Sequence, residues 1–433
     1  MTDIEKLPLE TLIEILTKID GKSLGRSRRV CRKWKECIDG VDSLWQKLCE
    51  KDFPESSRIA KRKSGTSFKW YHIYRNLIMW ADISRFETDV KEFYKFSIHD
   101  KTHLLEIDYG VLALSDLKGL VLYDVSTLKY IPVSIPDGFC SKMSNNDHAT
   151  IILTRTGVIV QRSANLTPED EQYLRADDFI LTEDHFYIHR NRDVFRCDYN
   201  AQNLDPELIM HCQYKIKTMV HYNGSLQIFT DCGKVVTINK NNEVKVNPIS
   251  CPAEWIPQIK HISAVNDKNF VCYSRNLIKV ETNKYKHLYL DFPPITALFF
   301  YVDIILIGTG KREILLYKLS SQKKAMKPIF ETIAVLPEGK IPLQLDVVER
   351  KNGPLIAAST SFELYLIEIK FFPNWSVDYP NVAQLKDRLS KRSNARVNPP
   401  TSHYAGFARA ARASDLAHLS RLVHLLLYSY LTS

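Results

Sequence analysis

Between residues 111 and 369 one unit recurs seven times: a short apolar strand, a tight polar turn, a second apolar strand and a polar link. The strand pairs fall at 111–114 with 120–125, 151–153 with 158–160, 185–188 with 194–197 and 226–229 with 235–238. They continue at 270–273 with 277–280, 304–307 with 314–319 and 355–358 with 364–369. The steps between units are 40, 34, 41, 44, 34 and 51 residues. Two-residue alternation repeated near a 40-residue period is the pattern of four-stranded propeller blades. The unit therefore predicts a mostly antiparallel all-β domain over 93–376, a seven-bladed β-propeller. Residues 93–97 are placed to close the ring by joining the last blade. The alternative is a pair of β-sandwiches or an irregular β-domain.

Leu122-Tyr123-Asp124-Val125 resembles the Trp-Asp strand ending of WD-repeat domains, although the chain has no Gly-His pair. It has no Gly-Gly either, which kelch-type repeats need, and no 20–29-residue period of the leucine-rich kind. The run 295–308 is apolar but short and broken by Asp303, so it reads as buried strands and not as a membrane span.

Ahead of this body the period is helical. Leu7-Pro8 opens a helix with Pro8 in the first turn, where a missing N–H costs nothing. Leu9, Leu12, Ile13, Ile15, Leu16 and Ile19 then cover an arc of roughly 160°, wider than the roughly 100° stripe of a single core contact. Asp20-Gly21 ends it and Ser23 is placed to cap a second helix, which carries Leu24, Val30, Cys31, Trp34 and Ile38. A third starts near Asp42 and presents Leu44, Trp45 and Leu48. Three helices in about 45 residues cannot bury this much apolar surface alone, so the excess requires a partner.

The order of these residues, with Leu7-Pro8, Ile15-Leu16, the Val-Cys-Arg-x-Trp of 30–34 and Leu44-Trp45, resembles the F-box family over residues 7–53. Gly25 departs from it, standing where a better helix former is usual. The resemblance implies docking onto the Skp adaptor and, through it, a cullin. Leu7, Pro8, Ile15, Leu16, Val30, Cys31, Trp34 and Trp45 are then the adaptor contact or its immediate support. An unrelated three-helix domain is the alternative. Phe68, Tyr71, Tyr74, Leu77, Ile78 and Trp80 predict a connecting helix after the basic stretch Lys61-Arg62-Lys63. That stretch is expected to be a solvated loop, with a nuclear signal as the other reading. The expected domains are an F-box at 1–53, a linker with this helix at 54–92, the propeller at 93–376 and a basic tail at 377–433. Within the tail, 415–431 is a candidate terminal helix.

The net charge of +9 raises nucleic acid as a partner. Residues 1–80 carry a net +6 and 381–433 another +6, so the body between them holds −3 and speaks against it. Nine cysteines without a CxxC pair imply reduced thiols in the cytoplasm or nucleus, and no signal core opens the chain. No metal-ligand cluster, phosphate-cradling Gly-rich loop or GxSxG elbow occurs; His99, His103, His185, His189 and His221 are dispersed. The expectation is a non-catalytic protein without cofactor, nucleic-acid or membrane partner.

In a propeller the turns between second and third strands share one face. Here they carry Lys118, Arg155, Arg190, Arg192, Arg275, Lys311 and Arg312, against Asp231 in the fourth unit and no charge in the seventh. A ring of such turns suits an acidic or phosphorylated target, because Arg pairs bidentately with phosphate. Turns that are merely polar are the competing account. The functional expectation is the substrate-recognition subunit of a Skp–cullin–F-box ubiquitin ligase. An F-box scaffold without ubiquitination is the alternative, and a propeller enzyme the more distant one.

Overall fold

A computed structural model describes residues 8–83, 86–96, 104–116, 119–132, 140–162, 172–199, 204–289, 292–322 and 328–370. The tail at 377–433 with its candidate helix, and Leu7 and Lys118, lie outside the described residues. The chain forms two compact units, one built from residues up to 53 with 69–82, the other from 54–68 with 83–371.

The first unit holds α1 (Leu9–Thr17), α2 (Gly21–Ser27), α3 (Arg32–Gly40) and α4 (Asp42–Asp52). Two helices stand where one was expected across 24–38, because Cys31 is extended (φ −156°, ψ 169°) and starts α3 afresh. Asp20, and not Ser23, caps α2, accepting from Lys22 N at 2.9 Å and Ser23 N at 3.0 Å. Residues 54–92, expected to be a linker, are divided between the units. α5 (Pro54–Ser64) goes with the strands, and α6 (Trp70–Trp80) joins the first four helices.

The second unit is a seven-bladed antiparallel propeller in which each blade is a four-stranded sheet. The first strands, packed side by side around the axis, are Leu104–Asp108, Cys140–Asn145, Asp178–Leu181, Ile216–Tyr222, His261–Asn266, Ile295–Phe300 and Gln344–Arg350, for blades one to seven. The second and third strands are the hairpins read from the sequence. They are largely apolar because each sheet is sandwiched between neighbours; all of Ile304–Thr309 and Gly353–Ser359 is buried. Among the described residues, apolar clusters lie between neighbouring blades, such as Phe179, Phe186 and Ile151 between two and three. The fourth strands escaped sequence reasoning: Tyr130–Ile131 has two residues, Gln172–Leu174 three, and Val244–Pro248 is mostly exposed.

The ring closes as expected, but from further upstream. Strand Glu87–Lys95 pairs antiparallel with Glu363–Lys370, from Glu87↔Lys370 to Lys95↔Glu363, with an irregularity between Glu92 and Tyr94. It becomes the outermost strand of blade seven.

Candidate functional site

In the helical unit, burial sorts the eight residues assigned to adaptor docking. α1 turns Leu12 and Leu16 inward at 1% and 2% exposure, leaving Pro8 exposed, Leu9 48% exposed and Ile15 half-buried. Val30 and Cys31 are also half-buried. Trp34 and Trp45 are core at 4% and 1%. Pro8, Leu9, Ile15, Val30 and Cys31 are therefore accessible apolar side chains, whereas Trp34 and Trp45 belong to the core they are attached to.

The expected connecting helix is part of that core. α6 lays Tyr71 and Tyr74 against Trp45, with ring centroids 5.0 and 5.5 Å away. Trp45 Nε1 donates to Ile38 O at 3.3 Å. The Tyr74 hydroxyl donates to Asp52 Oδ2 at 2.8 Å, and burial with this acceptor raises its pKa well above the phenol range. A Cβ on Gly21 would fall 2.0 Å from that hydroxyl, so only glycine fits where α2 begins.

In the propeller unit the basic stretch 61–63 is neither loop nor free. It forms the last turn of α5, whose sequence PESSRIAKRKS has too few apolar residues to announce a helix. Ile59 packs against the apolar cluster between blades five and six, and the helix's polar contacts reach five blades. Arg62 Nε lies 3.1 Å from Asp108 Oδ1 and its Nη2 donates to Ser144 Oγ at 2.8 Å, engaging blades one and two. Lys63 Nζ sits 2.7 Å from Asp346 Oδ1 of blade seven and donates to Ile107 O at 2.7 Å. Ser56 Oγ donates to Tyr301 O at 2.8 Å in blade six, and the Tyr222 hydroxyl of blade four donates to Glu55 Oε1 at 2.5 Å. The backbone joins in, with Gly110 N donating to Lys63 O at 2.8 Å. Gly110 has φ 81°, a conformation costly for other residues.

Apart from Asp346, which lies further down its strand, these contacts fall at or near the ends of first strands and in the turns that follow them, so α5 lies across that end of the channel. Lys61 donates to Thr66 O at 2.8 Å and to Phe68 O. The carboxylates beneath α5 are electrostatically coupled. Burial raises Asp346 above the usual range despite Lys63. Burial also works to raise Asp108, but Arg62 and Ser144 outweigh it and hold it low. Glu106, accepting from Met143 N at 2.8 Å, is pushed up to about 7 by desolvation and then by Asp108.

The basic turns lie at the opposite end, each in its own blade. Arg155, Arg190, Arg192, Arg275 and Lys311 are exposed and Arg312 is half-buried. Arg192 Nη1 donates to Gln213 O at 3.3 Å, and the Arg190 guanidinium stands 5.5 Å from the Phe195 ring centre. The first strands add cations there that sequence reasoning missed. Lys215 precedes the blade-four strand, Lys217 is on it, and Lys260 precedes the blade-five strand. Lys217 Nζ donates to Ile259 O at 2.6 Å and Lys260 O at 3.4 Å. Burial, followed by Lys260 and Lys215 among its like-charged neighbours, depresses its pKa. These lysines could have been found by treating the residues just before each first strand as part of the same face.

Among the described residues no group of three or more His, Cys, Asp or Glu side chains could hold a metal ion. Burial holds His185, His189 and His221 below the usual imidazole range. No described helix is long and apolar enough to cross a membrane.

Residues 4–51 match the F-box-like family, and no curated protein matches the chain. The propeller is similar to streptogramin B lyase at 11% identity and a TM-score of 0.45, over 65% of this chain and 98% of that one. It is likewise similar to the Cps50 (Swd1) beta-propeller domain of Myceliophteria thermophila at 11% identity and 0.46, over 64% and 99%. Hsv2 of Kluyveromyces lactis is 12% identical with a TM-score of 0.41, over 59% and 89%. Likenesses this distant add nothing to the strand pairing, which defines the fold by itself. An F-box-like region followed by a seven-bladed propeller is the architecture of an F-box substrate receptor in general.

Proposed function

We propose that the protein is the substrate-recognition subunit of a Skp–cullin–F-box ubiquitin ligase, without catalytic residues of its own, acting in the cytoplasm or nucleus. The accessible apolar side chains of Pro8, Leu9, Ile15, Val30 and Cys31 take the Skp adaptor and, through it, the cullin. The propeller end bearing Arg155, Arg190, Arg192, Arg275, Lys311 and Arg312 takes an acidic or phosphorylated segment of the target. The observation carrying this reading is the F-box-like match at 4–51 in one chain with a propeller whose opposite end is already occupied by α5. Leu9→Asp with Ile15→Asp tests it: adaptor and cullin should no longer co-purify while the melting temperature changes little, because neither side chain is core. Retained co-purification of both would sink the assignment.

A further inference from the structure

The propeller end left open by α5 is not uniform. Its blades three to five form a predominantly basic arc joined by hydrogen bonds between turns and links, with a carboxylate in it: Asp231 of the blade-four turn, whose N donates to Lys215 O at 3.0 Å. Arg192 reaches Gln213 O ahead of Lys215, Lys217 reaches the carbonyls of 259 and 260, and Lys260 N donates to Tyr273 O at 3.1 Å beside Arg275. Ile295 N donates to Arg275 O at 2.7 Å, carrying the surface on to blade six.

Blades six and seven present the other chemistry. Val335 ends the outer strand of blade six at 50% exposure, Ile341 and Leu343 lie on the link to blade seven at 38% and 36%, and Phe362 tops the blade-seven turn at 42%. Leu336 N donates to Arg312 O at 2.9 Å, and Leu343 N to Ser359 O at 2.7 Å. Lys340 Nζ lies 2.5 Å from Glu363 Oε1. These contacts join link and turn into one patch running directly on from Lys311 and Arg312. The other large exposed apolar side chains described in the propeller sit on or beside outer strands of separate blades: Tyr130, Tyr173, Leu208, Val244 with Val246, Leu288 and Ile329. Four converging at one end is the arrangement of a binding surface, where bulky apolar side chains of a partner supply the anchors.

We propose that this end recognises a bipartite protein segment, in which one or two large apolar side chains seat against Ile341, Leu343 and Phe362 and a following run of negative charge lies along the arc from Arg312 to Lys217. The inference rests on the receptor reading above and specifies its target class. Charge complementarity selects the anionic half, and the clustering of four exposed apolar side chains at this end of blades six and seven selects the other.

The test uses the full chain and immobilised synthetic peptides of four kinds: apolar with acidic, acidic alone, apolar alone and apolar with basic. Acidic residues are supplied either as Asp and Glu or as phosphoserine, which distinguishes the two sources of negative charge. Peptides carrying both features should bind at least tenfold tighter than either feature alone. Ile341→Ser with Phe362→Ser, both at exposed positions, should erase that advantage without lowering the melting temperature, and Arg275→Glu with Lys217→Glu should remove the acidic preference. Equal binding of acidic-only peptides, indifference to the Ile341 and Phe362 changes, or binding of none of the four kinds overturns the inference. Adaptor co-purification from the same preparations reports separately on the receptor reading.

Discussion

Glu106 stands among the channel carboxylates with its pKa raised from 4.5 to about 7. A carboxyl whose folded pKa lies above its unfolded value stabilises the fold most when neutral. Its contribution is therefore full below pH 4.5 and lost as pH rises toward 7. Glu106→Gln keeps an acceptor for Met143 N and removes that loss. Denaturant titrations should show little change at pH 4.5 and a gain on the order of 1–3 kcal/mol at pH 8. Gly21 makes the opposite point about packing. Gly21→Ala must displace the Tyr74 hydroxyl from Asp52 and disturb the Trp45 stack, costing about 1–3 kcal/mol and lowering the melting temperature of the helical unit. Asp20-Gly21 was legible as a helix end, but not as the socket for a tyrosine 53 positions later, because a tertiary contact leaves no local signature.

Among the elements, α5 departs most from what the sequence suggests. Amphipathic periodicity finds helices that bury apolar stripes, and it found α1, α4 and α6. α5 binds through Glu55, Ser56, Arg62, Lys63 and Ser64, whose partners lie in distant strands, so its pattern looks like solvated surface. Removing it strands Asp108 and Asp346 as buried carboxylates. Taking one partner from a buried ion pair costs about 3–5 kcal/mol, so Arg62→Met with Lys63→Met should destabilise the propeller by at least that much. A fragment beginning at residue 54 should unfold cooperatively, and one beginning at 83 should melt far lower or fail to express. Equal stability of the two fragments in calorimetry would show that α5 is merely resting on the ring.

For the whole molecule, the receptor reading predicts independent losses at two ends. Arg155→Glu with Arg275→Glu should weaken target capture by roughly 100-fold while adaptor co-purification is unchanged, since two charge-assisted pairs of about 1.5–3 kcal/mol are lost. Capture that survives, in a binding assay at physiological salt, would assign recognition to apolar contacts alone. The ring was readable because the second strands are largely buried on both faces and the third strands keep at least one buried face, so the apolar runs repeat. The face it presents was only partly readable: turn residues announce themselves, while Lys217 and Phe362 matter through neighbours supplied by other blades. The strand that closes the ring also sets a schedule during synthesis. Glu87–Lys95 leaves the ribosome about 275 residues before its partner, an interval of roughly 15–55 seconds at about 5–20 residues per second. Until then it is an unpaired edge open to the wrong neighbour. Glu87, Asp89, Lys91, Glu92 and Lys95 thus protect a nascent chain that must wait for the strand Glu363–Lys370.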